Sequence, residues 1–192
     1  MQNVIPLEVK LKRYNIIYAD PPWDVKRGPE YNSNGPSRKL TYPTMTMEEI
    51  FNLNIPELAD KDCKLFLWGI NKYMPQHYEL IQHWGFKYST TLVWCKRPNG
   101  IGLGGTFSLT TEFLLFGYRG RIGASKRHDT TWWLQSRGKH SQKPVHFYEL
   151  IEQSFPYDKK IELFARNKRL GWDVWGNEVE STAGITSRLS GR

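Results

Sequence analysis

The residues best suited to chemistry are Asp20-Pro21-Pro22-Trp23, which follow directly on the short apolar run Asn15-Ile16-Ile17-Tyr18-Ala19. Such a run reads as a buried parallel strand, and the two prolines forbid its continuation. In an open α/β sheet the ligand site lies beyond the carboxyl ends of the strands, so the tetrapeptide falls where a site is expected. It offers a carboxylate acceptor, backbone carbonyls with few competing donors, and a flat aromatic surface. These groups meet the needs of a planar base with an exocyclic amine. The lone pair of such an amine is delocalised into its ring. Accepting its two hydrogens on the Asp20 carboxylate and the Pro21 carbonyl favours pyramidalisation and frees the lone pair for an electrophilic methyl group. Trp23 is expected to stack on the base, while Pro21 and Pro22 hold the groups in place so that little reorganisation is needed. A base inside a duplex has to be flipped out to reach such a pocket. The same four residues would also serve as an ordinary strand-ending turn, so the surrounding chain has to decide.

The elements that position this tetrapeptide alternate between strand and helix. Asp24 to Pro43 is polar and rich in Gly, Pro, Asn and Ser, a long loop of the kind used as a lid or binding segment. Thr46-Met47-Glu48-Glu49 is a capping box that opens a helix through Leu53. Cys63 to Trp68 reads as a second buried strand, and Met74 to Trp84 as a helix closed by Gly85. Strands follow at Tyr88 to Lys96, Glu112 to Tyr118 and Thr130 to Leu134. A helix over Pro144 to Phe155 has proline at its first position, and strands at Lys160 to Ala165 and Trp172 to Trp175 complete the series. The pattern predicts an α/β fold with a mostly parallel sheet and helices on both faces. Gly100, Gly102, Gly104 and Gly105 lie in a stretch that no Gly-Lys-Ser/Thr follows, so it reads as a flexible connection and not a Walker loop.

With 192 residues, 39% of them hydrophobic and 14% aromatic, the chain can build one sizeable core, and wholesale disorder is excluded. The reading is one catalytic domain over residues 1–180, with a tail over 181–192 that lacks periodicity and aromatics and is expected to be disordered. Lys and Arg number 27 against 19 Asp and Glu, a net charge of +8 that suits a polyanionic partner. Cys63 and Cys95 sit in apolar runs without Cys-x-x-Cys spacing, which predicts buried thiols in a reducing compartment. His77, His83, His128, His140 and His146 have no zinc-like spacing, and no acidic cluster suggests two metals, so no metal is expected. Residues 1–12 lack an apolar targeting core, and no stretch reaches the ~18 apolar residues of a membrane span. No membrane partner is expected. The expected location is the cytoplasm of a bacterium or phage-infected host, or the nucleus of a eukaryote.

Asp20-Pro21-Pro22-Trp23 after an apolar strand resembles the catalytic motif of the adenine-N6 methyltransferase family that includes the catalytic subunit of mRNA adenosine-N6 methyltransferase and phage and bacterial DNA adenine-N6 methyltransferases. Further blocks resemble the family in its order: Tyr42-Pro43-Thr44-Met45, Leu65-Phe66-Leu67-Trp68, Trp84-Gly85-Phe86, Val93-Trp94-Cys95-Lys96 and Glu112-Phe113-Leu114-Leu115-Phe116-Gly117. His140-Ser141-Gln142-Lys143-Pro144, Glu162-Leu163-Phe164-Ala165-Arg166 and residues 171–178, ending in Asn177-Glu178, complete the match from about Tyr14 to Glu178. The resemblance implies a Rossmann-like methyltransferase fold, S-adenosylmethionine as methyl donor, and methylation of adenine at N6. It further implies that Asp20 lies between the target amine and the methionine amino group, that Lys143 approaches the methionine portion, and that Arg166, Asn177 and Glu178 surround the donor's ribose and carboxylate. Two departures stand out. Thr111 precedes Glu112 where the family commonly has His, and the acidic segment that meets the donor adenine in larger relatives is missing, which leaves backbone groups around Val4 and Ile5 as the expected contact.

From Arg119 to Lys143 seven Lys or Arg stand against one acid, Asp129, and Trp132 and Trp133 lie among them. Arg119, Arg121, Lys126, Arg127, Arg137 and Lys139 are therefore the expected phosphate contacts, with Lys26, Arg27, Arg38, Lys39 and Tyr42 contributing from the other long loop. If both loops flank Asp20, they form a basic clamp around a flipped adenine. The function expected is S-adenosylmethionine-dependent methylation of adenine N6 in DNA, by a phage or bacterial enzyme. RNA adenine methylation is the alternative, and a non-catalytic nucleic-acid-binding subunit is the competing class, against which the intact tetrapeptide and Asn177 speak. Action alone, as a homodimer or with a partner subunit stays open at this point.

Overall fold

β1 (Tyr14–Ala19) forms where the apolar run was read and is fully enclosed over Ile16–Ala19, since both its neighbours are strands. The computed structural model describes residues 12–24, 43–96, 106–138 and 142–183. After β1 come α1 (Met47–Phe51), α2 (Ile55–Leu58), β2 (Ala59–Gly69), α3 (Met74–His83), β3 (Lys87–Lys96), β4 (Thr111–Arg119), β5 (Trp132–Gln135), α4 (Val145–Ser154), β6 (Lys160–Leu163) and β7 (Trp172–Trp175). The seven strands build one sheet in the order β5-β3-β4-β2-β1-β6-β7. β1 pairs parallel with β2 and with β6, β6 with β7, and β3 with β5, whereas β4 runs against both β2 and β3. Six strands therefore end on one edge, and on that edge β4 begins.

Side chains alternate across the sheet as strand geometry requires. Ile17 and Ala19 face a core with Ile50, Ile55, Leu80 and Ile81 from α1, α2 and α3. Ile16 and Tyr18 face a second core with Phe147, Leu150 and Ile151 from α4. α1 opens with the expected capping box: the Thr46 hydroxyl accepts from the Glu49 amide at 3.2 Å, and the Glu49 carboxylate accepts from the Thr46 amide at 2.7 Å. α3 ends where read, with Gly85 in the left-handed region at φ 78°.

Several boundaries differ from the sequence reading. β2 begins four residues earlier, where Ala59 pairs with Tyr14 of β1 ahead of a register shift; β4 joins it only from Cys63 onward. α2 is a four-residue helix, too short to leave a periodic signal, and α1 stops at Phe51. Cys63 is buried, while Cys95 is only half-buried. Residues 181–183, read as the start of a disordered tail, are tied to β7: the Thr182 amide donates to the Val174 carbonyl at 3.1 Å, its hydroxyl accepts from the Val174 amide, and Ala183 is buried. Residues 184–192, Val4 and Ile5, the glycines from 100 to 105, and residues 25–42 of the long loop lie outside the described residues. Both roots of that loop are fixed by a short parallel bridge, in which the Met45 amide donates to the Pro22 carbonyl and the Asp24 amide to the Met45 carbonyl. Among the described residues no helix is long and apolar enough to cross a membrane.

Candidate active site at the carboxyl edge of the sheet

Asp20 sits one residue beyond β1, at the shared carboxyl edge. There the chain brings it a cation from 123 positions away: Lys143 Nζ donates to Asp20 Oδ2 at 2.8 Å. The same ammonium lies 3.3 Å from Glu112 Oε2 and 5.1 Å from the centre of the Trp68 ring, and Lys96 Nζ donates to the other Glu112 oxygen. The result is a chain of four alternating charges, Asp20, Lys143, Glu112 and Lys96, largely withdrawn from water. Burial works to lower the Lys143 pKa, but Asp20 and Glu112 outweigh it and hold the ammonium above its ordinary value. Burial likewise acts to raise the Glu112 carboxyl, yet Lys143 and Lys96 hold it below the usual range. Glu112 can stand here because β4 is reversed: the second residue of β4 arrives at the edge where the other strands end.

The tetrapeptide itself departs from expectation in two ways. Trp23 is only 5% exposed, and its indole N–H donates to the Trp68 carbonyl at 3.1 Å, so the ring belongs to the α1–α3 core and does not offer a free face to a base. It packs 4.5 Å from the His77 ring. His77 is fully enclosed, accepts from the Ile70 amide at 3.0 Å, and burial lowers its pKa to about 4, so it stands neutral as a spacer beneath the loop. The proline carbonyls also have competing donors, because Pro21 accepts from the Trp23 amide at 2.8 Å and Pro22 from the Met45 amide at 2.9 Å. Each carbonyl keeps a second lone pair. Lys143 binds the Asp20 carboxylate through Oδ2.

Beside Asp20 opens a cavity of about 340 Å³, lined by Tyr18, Lys143, Tyr148, Glu162, Phe164 and Arg166 among others. Glu162 is paired with Tyr18 across β1 and β6, buried, and accepts from the Tyr148 hydroxyl at 2.8 Å. Burial pushes its carboxyl up to about 7. Tyr18 accepts from the Trp68 indole N–H at 2.6 Å, which orders the wall between Glu162 and Trp68. Phe164, also on the cavity wall, adopts φ 62°, a strained conformation for an aromatic residue. Gly176 makes room for that turn, since a Cβ there would lie 2.2 Å from the Ala165 carbonyl oxygen. Arg166 and Glu178 both line the cavity, 3.6 Å apart. Asn177 is exposed in the turn after β7 and is not among the lining residues.

The expected basic clamp is split by β5. Arg119 is at the end of β4, opposite Cys63 near the start of β2, and its guanidinium donates to the Asp60 carbonyl at 2.7 Å and to the Ala59 carbonyl. Arg121 binds Asp62, and Lys126 binds Gln153 near the end of α4, with Arg127 adjacent. These four lie on the amino edge, the length of a strand away from Asp20, about 15–20 Å. β5 then carries the chain across, so that Arg137 emerges on the carboxyl edge and lines a surface pocket together with Lys143. The positions assigned to Lys26, Arg27, Arg38, Lys39, Tyr42 and Lys139 lie outside the described residues. Trp132, 59% exposed, lies on the edge strand β5, whereas Trp133 packs on the α4 side.

Sequence reasoning did not single out Glu112, Lys96, Tyr18, Tyr148 or Glu162 as site residues. Glu112, Lys96 and Glu162 stood in blocks already noted, but inside strands, where a charge with no known partner carries no address. A buried-strand charge is the available signal, since such residues are rarely enclosed without a partner. Among the described residues no group of three or more His, Cys, Asp or Glu is placed to hold a metal.

Known proteins are similar to this chain in sequence. The chain is 34% identical to the type II methyltransferase M.MunI of Mycoplasma sp over 93% of its own length and 83% of that protein's. It is 30% identical to an N(6)-adenosine-methyltransferase MT-A70-like protein of Arabidopsis thaliana, and 31% identical to the N(6)-adenosine-methyltransferase catalytic subunit METTL3 of Homo sapiens. The matches cover 95% and 88% of this chain but only 26% and 29% of those longer proteins. The MT-A70 family model matches residues 14–178, from the first residue of β1 to Glu178 and so across every described strand, and on that match the chain belongs to the MT-A70 family.

Proposed function

We propose that this chain transfers a methyl group from S-adenosylmethionine to N6 of adenine in DNA, with the Asp20 carboxylate as the group that receives the amine. The observation that carries the reading is the Asp20–Lys143 pair at the end of β1, opening on the 340 Å³ cavity. The cavity chemistry fits the donor the family uses. Its volume lies within the range of small-molecule sites. Lys143 and Arg166 can meet a carboxylate, Asp20 an ammonium, and Glu178 the two hydroxyls of a ribose. When bound, the donor supplies an electrophilic methyl group on a sulfonium.

Everything else falls to the protein's own residues. Asp20 Oδ1 accepts one amine hydrogen and the Pro21 carbonyl the other, through its remaining lone pair. Lys143 holds the carboxylate in place from Oδ2, so the acceptor is oriented before substrate arrives. Pro21, Pro22 and the Trp23–Met45 bridge limit the backbone's freedom there, and Trp23 acts as a buried support. DNA is favoured over RNA by the similarity to a type II methyltransferase over most of both chains. The RNA reading has its own support in the identity to N(6)-adenosine-methyltransferases, which covers a small part of their length.

Incubation with methyl-labelled donor and matched DNA and RNA, followed by digestion to nucleosides, tests both levels. Label is expected in N6-methyladenine from DNA. Label on cytosine, or on no base, overturns the reaction, and label confined to RNA overturns the substrate. Asp20→Ala is expected to lower methyl transfer by at least about 10²–10³ while nucleic-acid affinity stays within about threefold; undiminished transfer would remove Asp20 from the mechanism.

A further inference from the structure

We infer that Glu162 is the residue by which the site tells a cationic donor from its neutral-sulfur product: donor entry expels a proton from Glu162, and the demethylated product lets the carboxyl take it back. The inference rests on the proposed donor occupying the cavity. Its basis is geometric. Glu162 is 8% exposed, lies on the α4 face of β6 and lines the cavity beside Asp20. Its one described hydrogen bond is with the Tyr148 hydroxyl, a neutral donor.

The groups around it leave its charge uncompensated. From β1 come Tyr18 and the like-charged Asp20, and from α4 comes Tyr148. From β7 the facing residue is the apolar Val174. Arg169, in the segment after β6, favours the ionised form from a distance, but its guanidinium is bound in two places to Glu152. Lys143 lies across the cavity, committed to Asp20 and Glu112. Arg166 and Glu178 on the outer wall face each other. Burial dominates this balance and, with Asp20, pushes the carboxyl up to about 7, against the Tyr148 hydrogen bond and Arg169. Near neutral pH the carboxyl is therefore divided between its two forms.

Methyl transfer changes the charge it faces. The S–CH3 bond breaks, the N6–CH3 bond forms, the sulfur keeps the electron pair and becomes neutral, and N6 releases one proton to solvent. A positive charge within ~4–6 Å lowers a carboxylate's pKa by about one to three pH units, and a neutral sulfur does not. At pH 7 donor binding is then expected to release about 0.4 proton per site from Glu162, with close to none released by product binding. As pH rises from 5.5 to 8, affinity for the donor is expected to gain about tenfold on affinity for the product.

Titration calorimetry tests this with the full chain at pH 7, in two buffers of different ionisation enthalpy, using S-adenosylmethionine and S-adenosylhomocysteine in parallel. The expected difference between the two ligands is about 0.4 proton. Glu162→Gln should abolish that difference while both ligands still bind. Tyr148→Phe, which removes a hydrogen bond favouring the ionised form, should move the pH of greatest release upward. Equal proton release for donor and product, or a difference that persists in Glu162→Gln, overturns the inference and leaves the proposed function standing. Failure of the wild-type chain to bind either ligand overturns both.

Discussion

Lys143→Met tests the four-charge chain directly, because it removes the cation that, among the described residues, joins the two carboxylates. Lys143 lies 2.8 Å from Asp20 and 3.3 Å from Glu112, so each attraction is about 5–6 kcal/mol gross at an effective dielectric near 20. Desolvation of all three groups offsets most of that. Breaking a fully buried pair costs about 3–5 kcal/mol, because a charge is left without its partner. Here each carboxylate side chain keeps 24% exposure and Glu112 keeps Lys96, so the expected loss is lower, about 2–3 kcal/mol. For a domain of this size that is a fall in Tm of about 5–10 °C. The pH dependence follows from the direction of each shift. Glu112 is held below its ordinary 4.5, so its contribution is present above that pH and lost as pH falls through the lower folded value. Lys143 is held above 10.5, so its contribution is lost only as pH rises beyond that. The gap between wild type and variant should be constant from about pH 6 to 9 and narrow below about pH 4.5. Urea denaturation followed by circular dichroism at pH 7.5 and pH 4 measures it. A loss under about 0.5 kcal/mol at pH 7.5, or an equal loss at both pH values, would refute the reasoning. A cycle with Glu112→Gln should show a coupling of about 1 kcal/mol, within the range found for residues in direct contact.

Three further outcomes are expected. His77 is neutral in the fold, with its pKa depressed from 6.5 to about 4, so stability is whole above pH 6.5 and falls as pH drops toward 4, by up to about 3 kcal/mol; His77→Gln should flatten that limb of a stability-versus-pH curve, and an unchanged slope would contradict the assignment. Arg137→Ala should weaken nucleic-acid binding and reduce the slope of log affinity against log salt by about 0.9, while Arg121→Ala on the opposite edge leaves both unchanged; equal effects in a salt titration would mean that the edges are not distinguished. Gly176→Ala should destabilise by about 1–3 kcal/mol in urea denaturation, because its Cβ would press on the Ala165 carbonyl at 2.2 Å; wild-type stability would show that the turn has room to spare.

Local rules carried the sequence a long way. A buried strand stopped by two prolines placed Asp20 at a strand end, and a capping box and a glycine fixed the ends of two helices, because each signal is a matter of neighbouring residues. Alternation of these elements was enough for a mostly parallel α/β sheet, and the ordered blocks were enough for the family. What lay beyond reach depended on strand direction and packing. Only the reversal of β4 brings Glu112 to the Lys143 ammonium, and only the passage of β5 separates Arg119, Arg121, Lys126 and Arg127 from Arg137. Trp23 was legible as an aromatic after a strand, but an indole serves a core as well as a base. The burial of its ring against His77 and the hydrogen bond to Trp68 settle which it does here. Composition and spacing thus determined which groups stand at the strand ends. Which of them face one another across as many as 123 residues was decided by the order and direction of the strands, because electrostatic partners are chosen by distance in space and a linear sequence does not record it.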